Sequence, residues 1–290
     1  MKILRGAIYD AQKNKFGFSA LVATQFLDAF NDNAFKLLAS LCAVALISQN
    51  HSGQSHLSLV TTVFIIPFLL FSTYAGYLAD RFNKRGIIVT VKLAEVFIIV
   101  LGFFVLSIGN MLAMYIILFL MGVQSTFLGP AKYGVIPEIL SDEQLSEGNG
   151  VMQMWTYIAI ILGASCGGYI FYIFRNKIQM AALVFMCISI TSVITSIFIP
   201  KTKVHAIDRK PEWNFISELV RNIKVIRADR AIHFSVLGLV YFSFLGGMFQ
   251  MNILVYSKEL LHMSELYSGL ILGVVALGLG VGSILAGKLS

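Results

Sequence analysis

The feature that most constrains this chain is a series of eight apolar stretches separated by short polar segments. The first covers about 18–48, and the others run roughly over 57–79, 87–109, 111–128, 151–174, 178–199, 232–256 and 267–287. A helix of about 20 apolar residues crosses the hydrocarbon of a bilayer. In lipid, such a segment must also satisfy its own backbone hydrogen bonds. The sequence therefore predicts an all-α membrane protein with about eight transmembrane helices.

The composition argues against a soluble or catalytic protein. Hydrophobic residues make up 57% of the chain and charged residues only 13%, whereas about a quarter of an ordinary soluble domain is charged. The net charge of +7 does not indicate a nucleic-acid partner, because the basic residues lie between apolar runs and not on one face. The cysteines and histidines lack metal-ligand spacing. We therefore expect no metal, no cofactor, no nucleic-acid partner and no enzymatic activity of the chain itself.

The positions of lysine and arginine predict how the helices are oriented. If the N-terminus is cytoplasmic, 17 of the 22 basic residues lie on the cytoplasmic side and three on the opposite side. The remaining two, Lys36 and Lys92, lie inside helices. Because cytoplasmic loops of membrane proteins are enriched in lysine and arginine, we expect a multi-pass protein of the inner membrane with its N-terminus in the cytoplasm.

The longest polar connection, 200–231, divides the chain into two parts. Residues 1–199 are expected to form an N-terminal half of six helices, and 232–290 to begin a C-terminal half with helices seven and eight. Within the linker, apolar residues recur at helical spacing: Ile216, Leu219, Val220, Ile223 and Ile226. They predict an amphipathic helix that either lies on the membrane surface or is a plain soluble linker helix. Because the eighth helix ends much as the second does, we expect a fragment or truncated product that lacks about four helices.

The first helix carries charges at a depth where lipid would surround it. Asp28, Asp32 and Lys36 lie four residues apart and therefore share one helix face. Charged side chains within a membrane are costly and usually face a cavity or a partner. The predicted substrate-binding residues are Asp28, Asn31, Asp32 and Lys36. The alternative is a simple pair between Asp32 and Lys36, which leaves Asp28 without a cation on this face.

Two pairs of charges elsewhere in the chain allow local predictions. Lys92 and Glu95 lie one turn apart in the third helix, and we expect them to pair with each other. Lys132 and Glu138 flank a segment rich in glycine and proline, which predicts a cytoplasmic turn. The two charges are then either solvated or part of an ion pair or gate at the cytoplasmic mouth.

The end of the second helix carries a motif of glycine, aspartate and basic residues. It resembles the signature loop between helices two and three of the major facilitator superfamily, with Asn83 where glycine is common. The resemblance implies a gating or conformational role for the matching residues, which are Gly76, Asp80, Arg81, Lys84 and Arg85. In the fifth helix, Gly163, Gly167 and Gly168 predict a packing seam of small residues. Many antiporters of the superfamily carry a glycine–proline motif there, and the missing proline argues against proton antiport.

Two further segments resemble one branch of that superfamily. The segments 30–36 (FNDNAFK) and 129–138 (GPAKYGVIPE) are similar to those of bacterial lysophospholipid transporters. They are also similar to membrane domains fused to acyltransferase and acyl–acyl-carrier-protein synthetase modules. The resemblance implies a bundle of twelve helices in two halves, of which about eight are present. It also implies transport of lysophospholipids, such as lysophosphatidylethanolamine, for reacylation by an acyltransferase partner or fused domain.

Two alternatives to a free lysophospholipid transporter stay open at this point. The chain is either the membrane module of a fused acyltransferase–synthetase, or an exporter of small amphipathic molecules. An acyltransferase motif after a twelfth helix would favour the fusion, and only then would the complete protein be an enzyme. Competition by lysolipid for transport would distinguish the exporter.

Overall fold

The computed structural model describes residues 2–47, 53–201, 215–256, 261, 271, 274–275, 278–283 and 285–286. These residues form helices and no strand. The helices are α1 (Lys2–Ile47), α2 (Gly53–Arg81), α3 (Lys84–Ile108), α4 (Met111–Ile139), α5 (Leu145–Phe174), α6 (Ala181–Ile197), α7 (Phe215–Ala228) and α8 (Arg230–Val255). Helices α1 to α6 belong to one compact unit, and α7 and α8 belong to a second.

The helices have the length and composition of membrane crossings. In the described parts of the chain, five helices, α2 to α6, are long and apolar enough to span a bilayer. A sixth span results if the bent pair of α7 and α8 counts as one. Helix α1 carries three charges within nine residues, Asp28, Asp32 and Lys36, so its composition is less apolar. The all-helical, multi-pass prediction is confirmed. About half of the expected eighth helix, 267–287, lies outside the described residues, and the residues that are described there are helical.

The loops at both ends of α3 are very short, because the sequence supplies the required caps. Gly109 adopts φ 70° at the end of α3, a left-handed conformation that favours glycine. Asn110 then caps α4, and its side chain accepts a hydrogen bond from the Ala113 amide at 3.1 Å. The predicted break between the third and fourth helices is therefore confirmed. Asn83 caps α3 in the same way and accepts from the Gly86 amide at 3.1 Å.

The predicted turn around 129–138 is wrong, because α4 continues through it to Ile139. Pro130 and Pro137 both lie inside the helix. Membrane helices tolerate proline when neighbouring groups satisfy the freed backbone. Val135, Ile136 and Ile139 are buried in a hydrophobic core on the same segment, so packing favours helix over a break. Lys132 consequently lies within a helix and not in a loop.

Helices α1 and α5 approach each other closely along the predicted glycine seam. A Cβ atom added at Gly163 would overlap the backbone of Phe30, and one at Gly167 would overlap the backbone of Ala34. Only glycine permits this approach. Gly168 is less constrained, since a Cβ there would meet Leu37 at an ordinary 3.6 Å. The seam is confirmed, and it holds the charged segment of α1 in place.

Candidate functional site

A cluster of polar side chains lies buried between helices of the first unit. Its members come from α1, α3, α4 and α6 and are all less than a tenth exposed: Thr24, Gln25, Asp28, Asn31, Asp32, Lys92, Glu95, Gln124, Ser125, Ser189 and Ser192. Such groups are stable in a membrane protein only when they bond to one another or to a ligand. The hydrogen bonds define two main parts of the cluster, one around Lys92 and one around Asp32.

The first part is an ion triad that joins α1 to α3. The Lys92 ammonium group pairs with the Asp28 carboxylate and, at 2.6 Å, with that of Glu95. Asn31 donates a hydrogen bond to Glu95 at 2.6 Å and another to Ser189 on α6 at 2.9 Å. The predicted Lys92–Glu95 pair is confirmed. The cation that Asp28 lacks on its own helix is supplied by α3.

This triad bears on two of the predicted binding residues. Asp28 and Asn31 lie 4% and 0% exposed, and both bond to groups inside the bundle. Their contacts favour a role in holding α1, α3 and α6 together, while a role in binding substrate stays a prediction. Spacing within one helix could not have identified this arrangement, because Lys92 lies 64 residues from Asp28.

The second part of the cluster surrounds Asp32. This carboxylate accepts hydrogen bonds from Ser125 Oγ at 2.5 Å and from Gln124 Nε2 at 3.4 Å, both on α4. Among the residues that the structure describes, Asp32 has no ion-pair partner. The alternative pair with Lys36 is not formed, since the Lys36 ammonium group lies 4.4 Å from the centre of the Phe64 ring. Asp32 is therefore a buried carboxylate with hydrogen-bond donors but no cation.

Lys132 lies on the same helix as these donors. Its ammonium group donates to Gln25 Oε1 at 2.7 Å, and Gln25 in turn donates to Thr156 on α5 at 3.2 Å. Lys132 makes no ion pair within the described parts of the chain, and Glu138 is not its partner. The sequence did indicate on which face of α4 Lys132 lies. Ser125 and Lys132 lie seven residues apart, so a continuous helix places them on one face.

The signature loop forms contacts with two other helices. Lys84 pairs with Glu138 of α4 at 2.7 Å, and its stem crosses α4 where Gly134 leaves room, because a Cβ there would meet Lys84 Cε at 2.8 Å. Arg85 donates to the Ile197 carbonyl at the end of α6 at 2.6 Å. Glu138 therefore belongs to an ion pair, as one of the predicted alternatives had it, but the cation is Lys84.

The remaining residues of the motif are less engaged. Arg81 donates to the Tyr77 hydroxyl at 2.5 Å, and its guanidinium group also lies 5.8 Å from the centre of the Phe82 ring. Asp80 is exposed. A Cβ at Gly76 would meet no atom of the described residues within 4 Å. The motif thus joins α3 to α4 and α6 through Lys84 and Arg85, and its gating role stays a prediction.

Buried charges in a helical bundle, a signature loop and close glycine packing are features of a membrane transporter of the facilitator type. Residues 21–290 match the family model of the Major Facilitator Superfamily, which is most of the chain. The chain therefore belongs to the Major Facilitator Superfamily.

Several curated relatives are named lysophospholipid transporters, LplT. The protein from Photorhabdus laumondii is 28% identical over 92% of this chain and 64% of its own length. Those from Cronobacter sakazakii and Yersinia enterocolitica are 34% and 33% identical, over 52% and 64% of this chain. They are matched over 36% and 43% of their own length. The chain thus spans less than two thirds of the length of these relatives.

Solved structures show the same fold. The human organic anion transporter MFSD10 (TETRAN) matches 95% of this chain and 72% of its own chain with a TM-score of 0.68 and 15% identity. A peptide transporter, POT, matches 86% of this chain and 54% of its own chain with a TM-score of 0.54 and 14% identity. At these identities the likeness concerns the fold alone.

Proposed function

We propose that this chain is the transporting part of a lysophospholipid transporter in the inner membrane, with its N-terminus in the cytoplasm. Membership of the superfamily and the names of the curated relatives support this proposal. The distribution of basic residues supports the orientation. The proposed substrate is a lysophospholipid such as lysophosphatidylethanolamine, which moves inward for reacylation.

The observation that carries the proposal is a buried acidic side chain and a half-buried basic side chain that form no ion pair with each other. Among the described residues, Asp32 on α1 has donors but no cation in contact, and Lys132 on α4 has an amide oxygen but no carboxylate in contact. A buried charge without a partner is costly, so a ligand that supplies the missing partner gains binding energy. A zwitterionic headgroup has both: an ammonium group for Asp32 and a phosphate for Lys132.

Lys36 offers a second contact for the phosphate. Its ammonium group is held over an aromatic ring instead of a carboxylate, an interaction of about 0.5–2 kcal/mol that a phosphate oxygen could replace. Asp28, by contrast, is already neutralised by Lys92. The headgroup site that we propose therefore consists of Asp32, Lys36 and Lys132, with Asp28 and Asn31 as its support.

The first test replaces the unpaired carboxylate. Asp32→Asn keeps the size of the side chain and one acceptor oxygen but removes the charge that faces the ammonium group. We expect uptake of labelled lysophosphatidylethanolamine by right-side-out membrane vesicles to fall by more than about tenfold, which corresponds to about 1.4 kcal/mol.

The matched control is Glu143→Gln, which removes an exposed carboxylate between α4 and α5. It should leave uptake unchanged. Normal uptake by Asp32→Asn, at equal amounts of inserted protein, would contradict the proposed headgroup site.

We also propose that the imported lipid passes to an acyltransferase, either a separate partner or a fused domain. The proposed cargo supports this step, because acylation of the free hydroxyl of a lysolipid restores a bilayer lipid. Labelled lysolipid taken up by intact cells should appear as diacyl phospholipid, and deletion of the transporter should stop this conversion while acylation in lysed cells continues. Export of label, or conversion that does not depend on the transporter, would contradict the inward direction.

A further inference from the structure

We propose that α7 lies in the headgroup layer of the membrane and binds anionic phospholipids through its basic side chains. The sequence left a membrane-surface helix and a soluble linker helix as equal alternatives. Three observations on α7 and α8 favour the membrane surface and identify the ligand as anionic lipid.

The first observation is the geometry of the connection. Only Asp229 separates the end of α7 from the start of α8, and its carboxylate caps α8 by accepting from the Ala231 and Ile232 amides at 2.8 and 3.1 Å. Helix α8 has 26 residues, enough to cross a bilayer. With one residue between them, α7 cannot move away from the surface at which α8 enters the membrane.

The second observation is the direction of α7. The chain bends by 117° between α7 and α8. Transmembrane helices are tilted by about 20° on average. If α8 runs along the membrane normal, α7 lies about 27° from the membrane plane, and a tilt of about 20° changes this angle by up to that amount. In this range α7 does not project into water. In the proposed orientation, this is the cytoplasmic surface.

The third observation is the distribution of side chains around α7. Leu219 and Ile223 follow each other at four-residue spacing and are 42% and 40% exposed, so this apolar stripe is largely uncovered. Lys224 lies beside the stripe, Arg227 follows Ile223 at its C-terminal end, and Arg230 begins α8. A helix with an apolar stripe and adjoining basic residues is typical of binding to an interface that contains anionic lipid.

Depth measurements by spin labelling test the position of the helix. The full chain, with Cys42, Cys166 and Cys187 replaced by alanine, carries one nitroxide at Ile223→Cys or at Val225→Cys. Val225 is the matched control, because it is an exposed apolar residue on the opposite side of the same helix. In nanodiscs we expect the label at position 223 to be accessible to oxygen and shielded from a nickel chelate, and the label at 225 to show the reverse.

Equal nickel accessibility at both positions would mean a helix in water, and shielding of position 223 from both reagents would mean a protein contact. Either result would overturn the membrane position. These measurements need no transport activity, so they are independent of the proposed substrate.

The lipid preference has its own test. Phosphatidylcholine nanodiscs are compared with nanodiscs in which roughly one third of the lipid is phosphatidylglycerol. The label at position 223 should move deeper with anionic lipid, and this shift should disappear in Lys224→Gln/Arg227→Gln. The control pair Arg175→Gln/Lys177→Gln removes two exposed charges between α5 and α6 and should keep the shift. A depth that does not depend on lipid charge would overturn the choice of ligand.

Discussion

Lys92 shows how a single residue determines which neighbours are available for function. Its side chain is fully buried and contacts two carboxylates, Asp28 and Glu95. Removal of one partner from a buried ion pair destabilises the fold far more than removal of a surface charge. Because Lys92 pairs with Asp28, we expect a ligand to meet the other carboxylate of this face of α1, Asp32.

The triad predicts a large loss of stability when its cation is removed. In Lys92→Met, two buried carboxylates lose their shared cation, and we expect a destabilisation of about 3–5 kcal/mol. Thermal unfolding of the detergent-solubilised protein measures it. Lys177→Met removes an exposed lysine and serves as the control. If both variants unfold at the same temperature as the parent, the triad does not stabilise the fold.

The sequence identified the charged residues of the site better than their partners. Spacing within one helix correctly paired Lys92 with Glu95, because residues three apart on a helix are neighbours whatever the fold. It could not pair Asp28 with Lys92, or Asp32 with Ser125, since these contacts join helices far apart in the chain. The absent pair of Asp32 and Lys36 has the same cause, because packing directed Asp32 toward α4 and Lys36 toward Phe64.

At the scale of the helix, the contact between α1 and α5 depends on two glycines. In Gly163→Ala the new methyl group would overlap the backbone of Phe30, and separation of the helices should cost about 1–3 kcal/mol. Gly129→Ala in α4 is the control, since a Cβ there meets no described atom within 4 Å. That control should be neutral or gain up to about 1 kcal/mol in helix propensity. Equal unfolding temperatures for the two variants would contradict the close contact.

The loop between α2 and α3 is fastened to α4 by one ion pair. Lys84→Glu or Glu138→Lys alone places like charges together, whereas the double exchange restores opposite charges. We expect the double variant to recover about 1–3 kcal/mol relative to the sum of the single effects, measured by thermal unfolding. Strictly additive effects would mean that Lys84 and Glu138 do not interact.

Helix α4 shows where local signals mislead. Glycine and proline between 129 and 137 are strong turn signals in soluble proteins, yet the helix runs through them. Burial of Val135 and Ile136 in the core outweighs the local preference. Because α4 is continuous, Lys132 lies within the bundle and Glu138 reaches the signature loop. The wrong prediction of a turn therefore changed the expected partners of both residues.

At the scale of the whole molecule, the apolar periodicity was enough to predict a helical membrane bundle. Each bilayer-length run from 57 to 199 corresponds to one helix of the structure, α2 to α6, because length and hydrophobicity alone determine a crossing. The halves 1–199 and 232–290, the linker 200–231 and the missing helices stay predictions. They concern the arrangement of helices in the membrane, which hydropathy does not encode.

The orientation of the bundle can be measured directly. In a cysteine-free background, Lys177→Cys lies between α5 and α6, and Glu143→Cys lies between α4 and α5. Because the positive-inside rule places the N-terminus in the cytoplasm, a membrane-impermeant maleimide should label position 177 and not 143 in intact spheroplasts. After lysis, both positions should react. The reverse pattern in intact spheroplasts would invert the proposed topology.

The ion triad has a consequence for biogenesis. Asp28 and Lys92 are 64 residues apart, and at about 5–20 residues per second the ribosome adds the lysine on the order of 3–13 s after the aspartate. During that interval the first helix has left the ribosome while its counter-ion has not been made. Until the third helix has been synthesised, Asp28 has no counter-ion from α3, so the triad forms only after both helices exist.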